Sequence, residues 1–142
     1  MKLSSKGDYG IRALIDLAQN NGRGPIPSGE IAARQGIPGS LIGQVLGSLR
    51  LAGFVRSVRG AQGGHELALA ADGIRMDIVV EALDGPITPG ACLEKANPAC
   101  SGSAAQIAMW EEVQSGIRDT LAQRSLADLA NAGATTTGRY SI

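Results

Sequence analysis

Apolar side chains recur along this chain at helical spacing, then at strand spacing, then at helical spacing again. Ser4 or Ser5 is placed to cap a first helix, in which Ile11, Leu14, Ile15 and Ala18 follow an i, i+3, i+4, i+7 stripe. The stripe ends near Asn20-Asn21-Gly22, where asparagine and glycine accept left-handed geometry. Gly24-Pro25-Ile26-Pro27 predicts an extended linker. Two shorter helices are expected over Ser28 to Gln35 and Ser40 to Ala52, joined by Gly36-Ile37-Pro38-Gly39. Ser28 is a candidate cap for the first of them, and Ile31, Ala32 and Ile37 offer small apolar contacts for a close helix crossing. In the second, Ile42, Val45, Leu46, Leu49 and Ala52 face a core, which leaves Ser40, Gly43, Gln44, Gly47, Ser48 and Arg50 outside.

The pattern then changes. From Val55 to Leu69, the apolar residues Val55, Val58, Leu67 and Leu69 flank a glycine-dense tip and predict a β-hairpin. Gly60, Gly63 and Gly64 permit positive φ at the tip, and Arg56 and Arg59 bring guanidinium forks suited to phosphate. Helix, tight turn, helix and basic ribbon is the order of a winged helix-turn-helix. The predicted fold is therefore mostly α with a small β-hairpin wing.

Downstream, Ala71-Asp72-Gly73 turns the chain, and Arg75 to Leu83 returns to helical spacing through Ile78, Val79 and Ala82 until Asp84-Gly85-Pro86. A loop from Pro86 to Gly102 holds both cysteines, Cys92 and Cys100. Ala104 to Gln123 predicts a long helix with Ile107, Trp110, Val113, Ile117 and Leu121 on one stripe, a pairing seam or packing face. A short helix, Ser125 to Ala130, follows, and Gly133 to Ile142 lacks periodicity and reads as disordered. The expected organisation is a DNA-binding unit over residues 1–72, a loop and helical unit over 73–131, and a tail over 132–142.

Composition narrows the function. A chain of 142 residues suits one domain with a helical appendage, and with 3% aromatic residues the packing falls to small side chains. No apolar run is long enough to span a bilayer and no signal-peptide core opens the chain, so a cytoplasmic location away from membranes is expected. The formal net charge of zero hides an asymmetry: eight basic against four acidic side chains through Glu66, then five against nine. A basic first half suits nucleic acid, and an acidic second half suits pairing or regulation. An enzyme finds little support, with one histidine, no paired carboxylates and no nucleotide-binding glycine loop between strand and helix.

Several segments carry a resemblance. Ile31-Ala32 through Gly36-Ile37-Pro38, Leu49-Arg50-Leu51-Ala52-Gly53-Phe54-Val55, Ser57-Val58-Arg59-Gly60 and Gly63-Gly64 resemble the Rrf superfamily of bacterial regulators, which includes IscR, NsrR and CymR. Met1-Lys2-Leu3-Ser4 and the Trp110 helix match as well, so the resemblance spans about residues 1–130. It implies a homodimer held by the long helix, with two recognition helices in successive major grooves of a double-stranded DNA operator. Ser40 and Gln44 are the candidates for base edges. Arg56 and Arg59, with Gly60, Gln62 and Gly63 at the wing tip, are the candidates for backbone or minor-groove contact, and Ser28 with its neighbouring amides for a phosphate. The family commonly has glutamate where Gly43 stands and tyrosine near Leu41, so its base preference does not carry over.

The cysteines admit two readings. Eight positions apart in a reducing compartment, they match neither a structural disulfide nor a zinc knuckle, and they can simply be inert. The resemblance implies instead thiolates on an iron-sulfur cluster, which needs about four ligands. The family's third cysteine would fall near Ala104 and one branch's histidine at Ile107, so neither completion is present. Asp8 matches an acidic ligand that reaches across from the partner subunit in some relatives, or it merely favours the positive end of its helix. With few thiolates, a [2Fe–2S] cluster is favoured over [4Fe–4S]. Glu94 reads as a solvated carboxylate, and His65, where relatives carry an aromatic, reads as local packing or a phosphate contact. The alternative is a cluster-free regulator controlled by a partner protein or small ligand.

Overall fold

Ser4 starts the first helix: its hydroxyl accepts from the Gly7 amide at 3.0 Å and stabilises an otherwise orphaned donor. The computed structural model describes residues 3–89, 93 and 103–135. Among them the order is α1 (Ser5–Gln19), α2 (Ser28–Gln35), α3 (Gly39–Leu51), β1 (Val55–Val58), β2 (Gly64–Leu67), a 3-10 turn (Ala71–Gly73), α4 (Met76–Asp84), α5 (Ala104–Ala122) and α6 (Leu126–Thr135). Mostly helical, with one two-stranded antiparallel sheet, it is the expected architecture. Val55 pairs with Leu67, Arg56 with Glu66, Ser57 with His65 and Val58 with Gly64.

One hydrophobic core includes residues from both sides of position 72. Leu14 and Leu17 of α1, Ile31 of α2, Leu46 and Leu49 of α3, Val55 and Leu67 of the ribbon, Val79 and Leu83 of α4 and Leu126 of α6 all belong to it. The turn of α1 that meets this core is rotated from the expected stripe. Gly10, Ala13, Leu14 and Leu17 are buried, whereas Ile11, Ile15 and Ala18 are only partly covered. Gly10 explains the rotation, because a Cβ there would lie 2.6 Å from the Leu83 side chain, so α4 packs where α1 is thinnest. The same rotation occurs in α4, whose buried positions are Met76, Val79, Val80 and Leu83 while Ile78 and Ala82 are exposed. In α3, Ile42, Val45, Leu46 and Leu49 are buried as expected, but Ala52 lies beyond the last helical residue and is exposed.

Two extended segments are more than linkers. Ile26 exchanges both backbone hydrogen bonds with His65, at 2.9 and 2.8 Å, and so adds a third rung beside β2. Met76 N–H donates to Arg124 and Leu126 N–H to Ile74, tying the approach to α4 to the start of α6. Ser125 and Asp128 cap α6 reciprocally at 3.1 and 2.9 Å. The helix then runs to Thr135, past the position where a disordered tail was expected to begin. Leu69, expected in the second strand, lies beyond its end and is 52% exposed.

Candidate nucleic-acid interface

The turn between α2 and α3 begins at Gly36, whose φ of 64° closes α2 in left-handed geometry. Pro27 and Pro38 stand at the cap positions of α2 and α3, and no side chain caps either helix. Ser28 is thus the first helical residue of α2 rather than its cap, because Pro27 already fixes the extended entry. On the outer side of α3, Ser40, Gly43, Gln44 and Arg50 are exposed and Gly47 and Ser48 half-buried. A Cβ built at Gly39, Gly43 or Gly47 meets nothing within 4 Å. Glycine inside a helix costs about 1 kcal/mol relative to alanine, and no neighbour among the described residues requires it at Gly43 or Gly47. This surface is small, polar and open.

Below the helix pair lies an ion pair that the sequence reading missed. Asp16 is 1% exposed in α1 and accepts from Arg34 Nε at 2.8 Å, Arg34 Nη2 at 3.0 Å and Gln35 Nε2 at 3.2 Å. The hydrogen bond to Asp16 raises the Arg34 pKa above its ordinary value, and Glu30 at 3.4 Å adds to it. The last turn of α2 is thereby fixed to α1. The available signal was an aspartate between Leu14 and Leu17 on the core side of the helix.

The wing holds its two arginines differently. Arg56 Nε donates to Glu66 at 2.8 Å across the ribbon, while Arg59, just past β1, is exposed with no ion-pair partner among the described residues. Gly60 adopts the expected positive φ, 110°. Gly63 and Gly64 do not, and close approach is what demands glycine there. A Cβ at Gly63 would lie 2.2 Å from the Val58 carbonyl oxygen, and one at Gly64 would lie 2.4 Å from the Ile26 carbonyl carbon. Gln62 is exposed beside them. His65 faces Ser57, with Nδ1 3.2 Å from the hydroxyl oxygen. Burial and then the nearby Arg50 charge lower its pKa from the ordinary value.

A family model described as an iron-dependent transcriptional regulator, Rrf2, matches residues 3–132. The chain belongs to the Rrf2 family. It is a DNA-binding transcriptional regulator rather than an enzyme. It is 34% identical to the HTH-type transcriptional regulator CymR of Bacillus subtilis (strain 168) over 131 residues, which are 92% of this chain and 91% of the relative. It is 37% identical to the HTH-type transcriptional regulator IscR of Erwinia tasmaniensis over 133 residues, 92% of this chain and 79% of the relative. Among solved structures, B. subtilis CymR, described as the global cysteine regulator, superposes with a TM-score of 0.79 at 33% identity, covering 93% of this chain and 98% of the other. T. potens IscR superposes at 0.76 with 34% identity, covering 97% and 91%.

The remaining candidates of this Rrf2 chain concern metal. Cys92 and Cys100 lie outside the described residues. Asp8, in the first turn of α1, pairs with Arg12 at 2.8 Å, and both side chains are about half exposed. Among the described residues no three histidine, cysteine, aspartate or glutamate side chains gather where they could hold a metal ion. No helix of the described residues is long and apolar enough to cross a membrane. Near the cysteine segment, Gln114 Nε2 of α5 donates to the Ile87 carbonyl at 2.6 Å.

Proposed function

We propose that this regulator acts as a homodimer on a duplex operator, with α3 of each subunit in a major groove and the wing beside it on the backbone. The observation that carries the reading is the pairing of an open, small-residue α3 surface with an exposed Arg59 that has no ion-pair partner among the described residues. Ser40 and Gln44 supply the donors and acceptors for base edges, and Gly43 and Gly47 let the helix axis come close. Arg59 supplies the phosphate contact, with Gly60, Gln62 and Gly63 bringing backbone near it, and the uncapped start of α2 at Ser28 offers amides to a second phosphate. Arg56 must exchange Glu66 for phosphate, which makes it the weaker contact. Dimerism is supported by α5, in which none of the 19 residues is fully buried and the apolar Met109 and Val113 are exposed within one chain. Arg59→Ala should weaken binding to every duplex and reduce the salt slope by about one, as measured by anisotropy titrations from low to high salt. An unchanged slope removes the wing from the interface.

We further propose that the segment holding Cys92 and Cys100 sets DNA affinity in response to iron-sulfur supply, redox state or nitric oxide. A [2Fe–2S] cluster, favoured over [4Fe–4S], would draw on those thiolates and on Asp8 of the partner subunit. The donor set fits only in part: Ala104 and Ile107 stand where relatives of the cluster-binding type place further ligands, and Arg12 already holds Asp8. That engagement favours a second reading, a cluster-free regulator of the same fold that answers to a partner protein or small ligand. Purification without oxygen, with iron and sulfide analysis, separates the two. Visible absorbance lost in Cys92→Ala and Cys100→Ala supports the cluster, and colourless, iron-free protein supports the second reading.

A further inference from the structure

In the ribbon, residues that share a face alternate, so the Ser57 and His65 pair lies on the same face as the buried pair Val55 and Leu67. That is the face turned toward the core, and α3 packs against β1. Arg56 and Glu66 occupy the opposite face, where they neutralise each other. Arg50, in the last turn of α3, is exposed, and its charge is the second cause, after burial, that lowers the His65 pKa. Where the recognition helix leads into the wing, α3 thus ends with a guanidinium, the core-side face of the ribbon carries an imidazole and a hydroxyl 3.2 Å apart, and the ribbon's own carboxylate, Glu66, lies on the opposite face.

We propose that Arg50, Ser57 and His65 form a phosphate-binding point for duplex DNA at the junction of α3 and the wing, in addition to the contacts at the wing tip. The proposal rests on the DNA-binding geometry described above and adds three residues to it. The Arg50 charge disfavours a protonated His65, and an anion bound at the end of α3 and the ribbon relieves that repulsion. A backbone phosphate supplies that anion: Arg50 donates from its fork, Ser57 from its hydroxyl, and His65 from its ring once protonated. The other groups around His65 cannot play this part. Ile26 offers backbone only, Asn20 and Asn21 beside the ribbon are neutral, and Glu66 is engaged with Arg56.

Free protein keeps the His65 imidazole neutral near pH 7, because burial and Arg50 both disfavour its charge. A phosphate against Arg50 reverses the second cause, so DNA binding takes up a proton and strengthens as pH falls. His65 is the only histidine of the chain, which makes the proton assignable.

The test measures affinity for a mixed-sequence duplex and for an operator fragment between pH 8 and pH 6, using wild-type protein, His65→Gln, Arg50→Ala and Arg59→Ala. Wild type should gain up to about tenfold across this range for each unit by which the pKa of His65 rises on binding. His65→Gln should lose that gain, Arg50→Ala should reduce the salt slope by about one, and Arg59→Ala should weaken binding while keeping the pH profile. A His65→Gln profile that matches wild type, or an unchanged salt slope in Arg50→Ala, overturns the proposal while leaving the wing-tip contacts in place. A folded wild-type protein that binds no duplex at any pH overturns the DNA-binding geometry itself. Should His65→Gln fail to fold, NMR titration of the wild-type His65 ring decides: its pKa rises on adding duplex, or the proposal falls.

Discussion

Helices α3 and α5 look alike as sequences, each with an apolar stripe at helical spacing, and the folded chain treats them oppositely. Helix α3 buries Ile42, Val45, Leu46 and Leu49 and shows serine, glycine, glutamine and arginine outside. Helix α5 has no fully buried residue: Ile107, Trp110, Ile117 and Leu121 are only partly covered, and Met109 is 48% and Val113 40% exposed. A helix with its apolar side satisfied offers polar chemistry to its next partner, and one with that side unsatisfied offers apolar area. The first suits a nucleic-acid groove, and the second suits another copy of itself. Among the described residues, the Gln114 bond to Ile87, an Arg118 to Glu81 pair at 3.3 Å and the partly buried Leu121 hold α5 against the body, with α4 alongside.

The largest effect should come from charging the α5 stripe. Val113→Asp should convert the proposed dimer to monomer in sedimentation equilibrium and reduce operator affinity by about a hundredfold or more, since two linked half-sites become independent. The monomer should remain folded by circular dichroism, because Val113 contributes nothing to the core of one chain. A stable dimer after this change would make α5 an ordinary surface helix and erase the contrast with α3.

Next come the residues under α3 and its neighbour. Leu46→Ala should cost about 2–5 kcal/mol of stability through lost burial and the cavity left behind. Arg34→Ala should cost about 3–5 kcal/mol, because it leaves the Asp16 carboxylate buried with only Gln35 to donate. Asp16→Asn should cost less, since the freed guanidinium is 40% exposed and can reach water. Urea denaturation of the three variants checks the order, and equal losses for Arg34→Ala and Asp16→Asn would show the carboxylate not to be the costly partner.

The outer side of α3 offers the reverse sign. Gly43→Ala should stabilise the chain by up to about 1 kcal/mol, because the added methyl meets open space and the helix gains propensity. The same methyl should weaken operator binding. Loss of stability would mean the glycine serves the fold, and unchanged binding would mean the groove never approaches it.

These contrasts also show what one sequence can disclose. The helix-turn-helix and wing were legible because their elements are set locally, by Gly36 at the turn, by apolar spacing in α3 and by β-branched residues around Gly60. The rotation of α1 was not, because the choice between Ile11 with Ile15 and Gly10 with Ala13 is made by α4 arriving from Leu83, about seventy positions later in the chain. Asp16 entered the sequence reading only as one of four acids in the first half, since nothing local shows Arg34 folding back over it. Gly63 and Gly64 were recognised as necessary, but for φ rather than for the carbonyls of Val58 and Ile26 pressed against them. Of the interface candidates, Ser40, Gln44, Arg59, Gly60 and Gln62 are all exposed on the two elements expected to carry them, whereas Arg56 is met by Glu66 directly across the ribbon, a pairing fixed only by strand register.

The smallest effect concerns His65 and folding itself. Its pKa in the folded chain lies below the ordinary 6.5 that the unfolded chain approaches. Below that value the unfolded chain therefore binds more of this proton, and stability contributed by the neutral ring, fully present above pH 6.5, declines as pH falls through it. Melting temperatures of wild type and His65→Gln should accordingly run parallel from pH 8 to pH 7 and converge or cross below pH 6.5, where wild type alone pays for the mismatch. Operator DNA should abolish that decline in wild type, because a phosphate beside Arg50 makes the protonated ring the favoured form. If the free protein's melting temperature is flat in pH while the DNA complex still gains affinity on acidification, the proton belongs to another group and the junction of α3 and the wing is not where it binds.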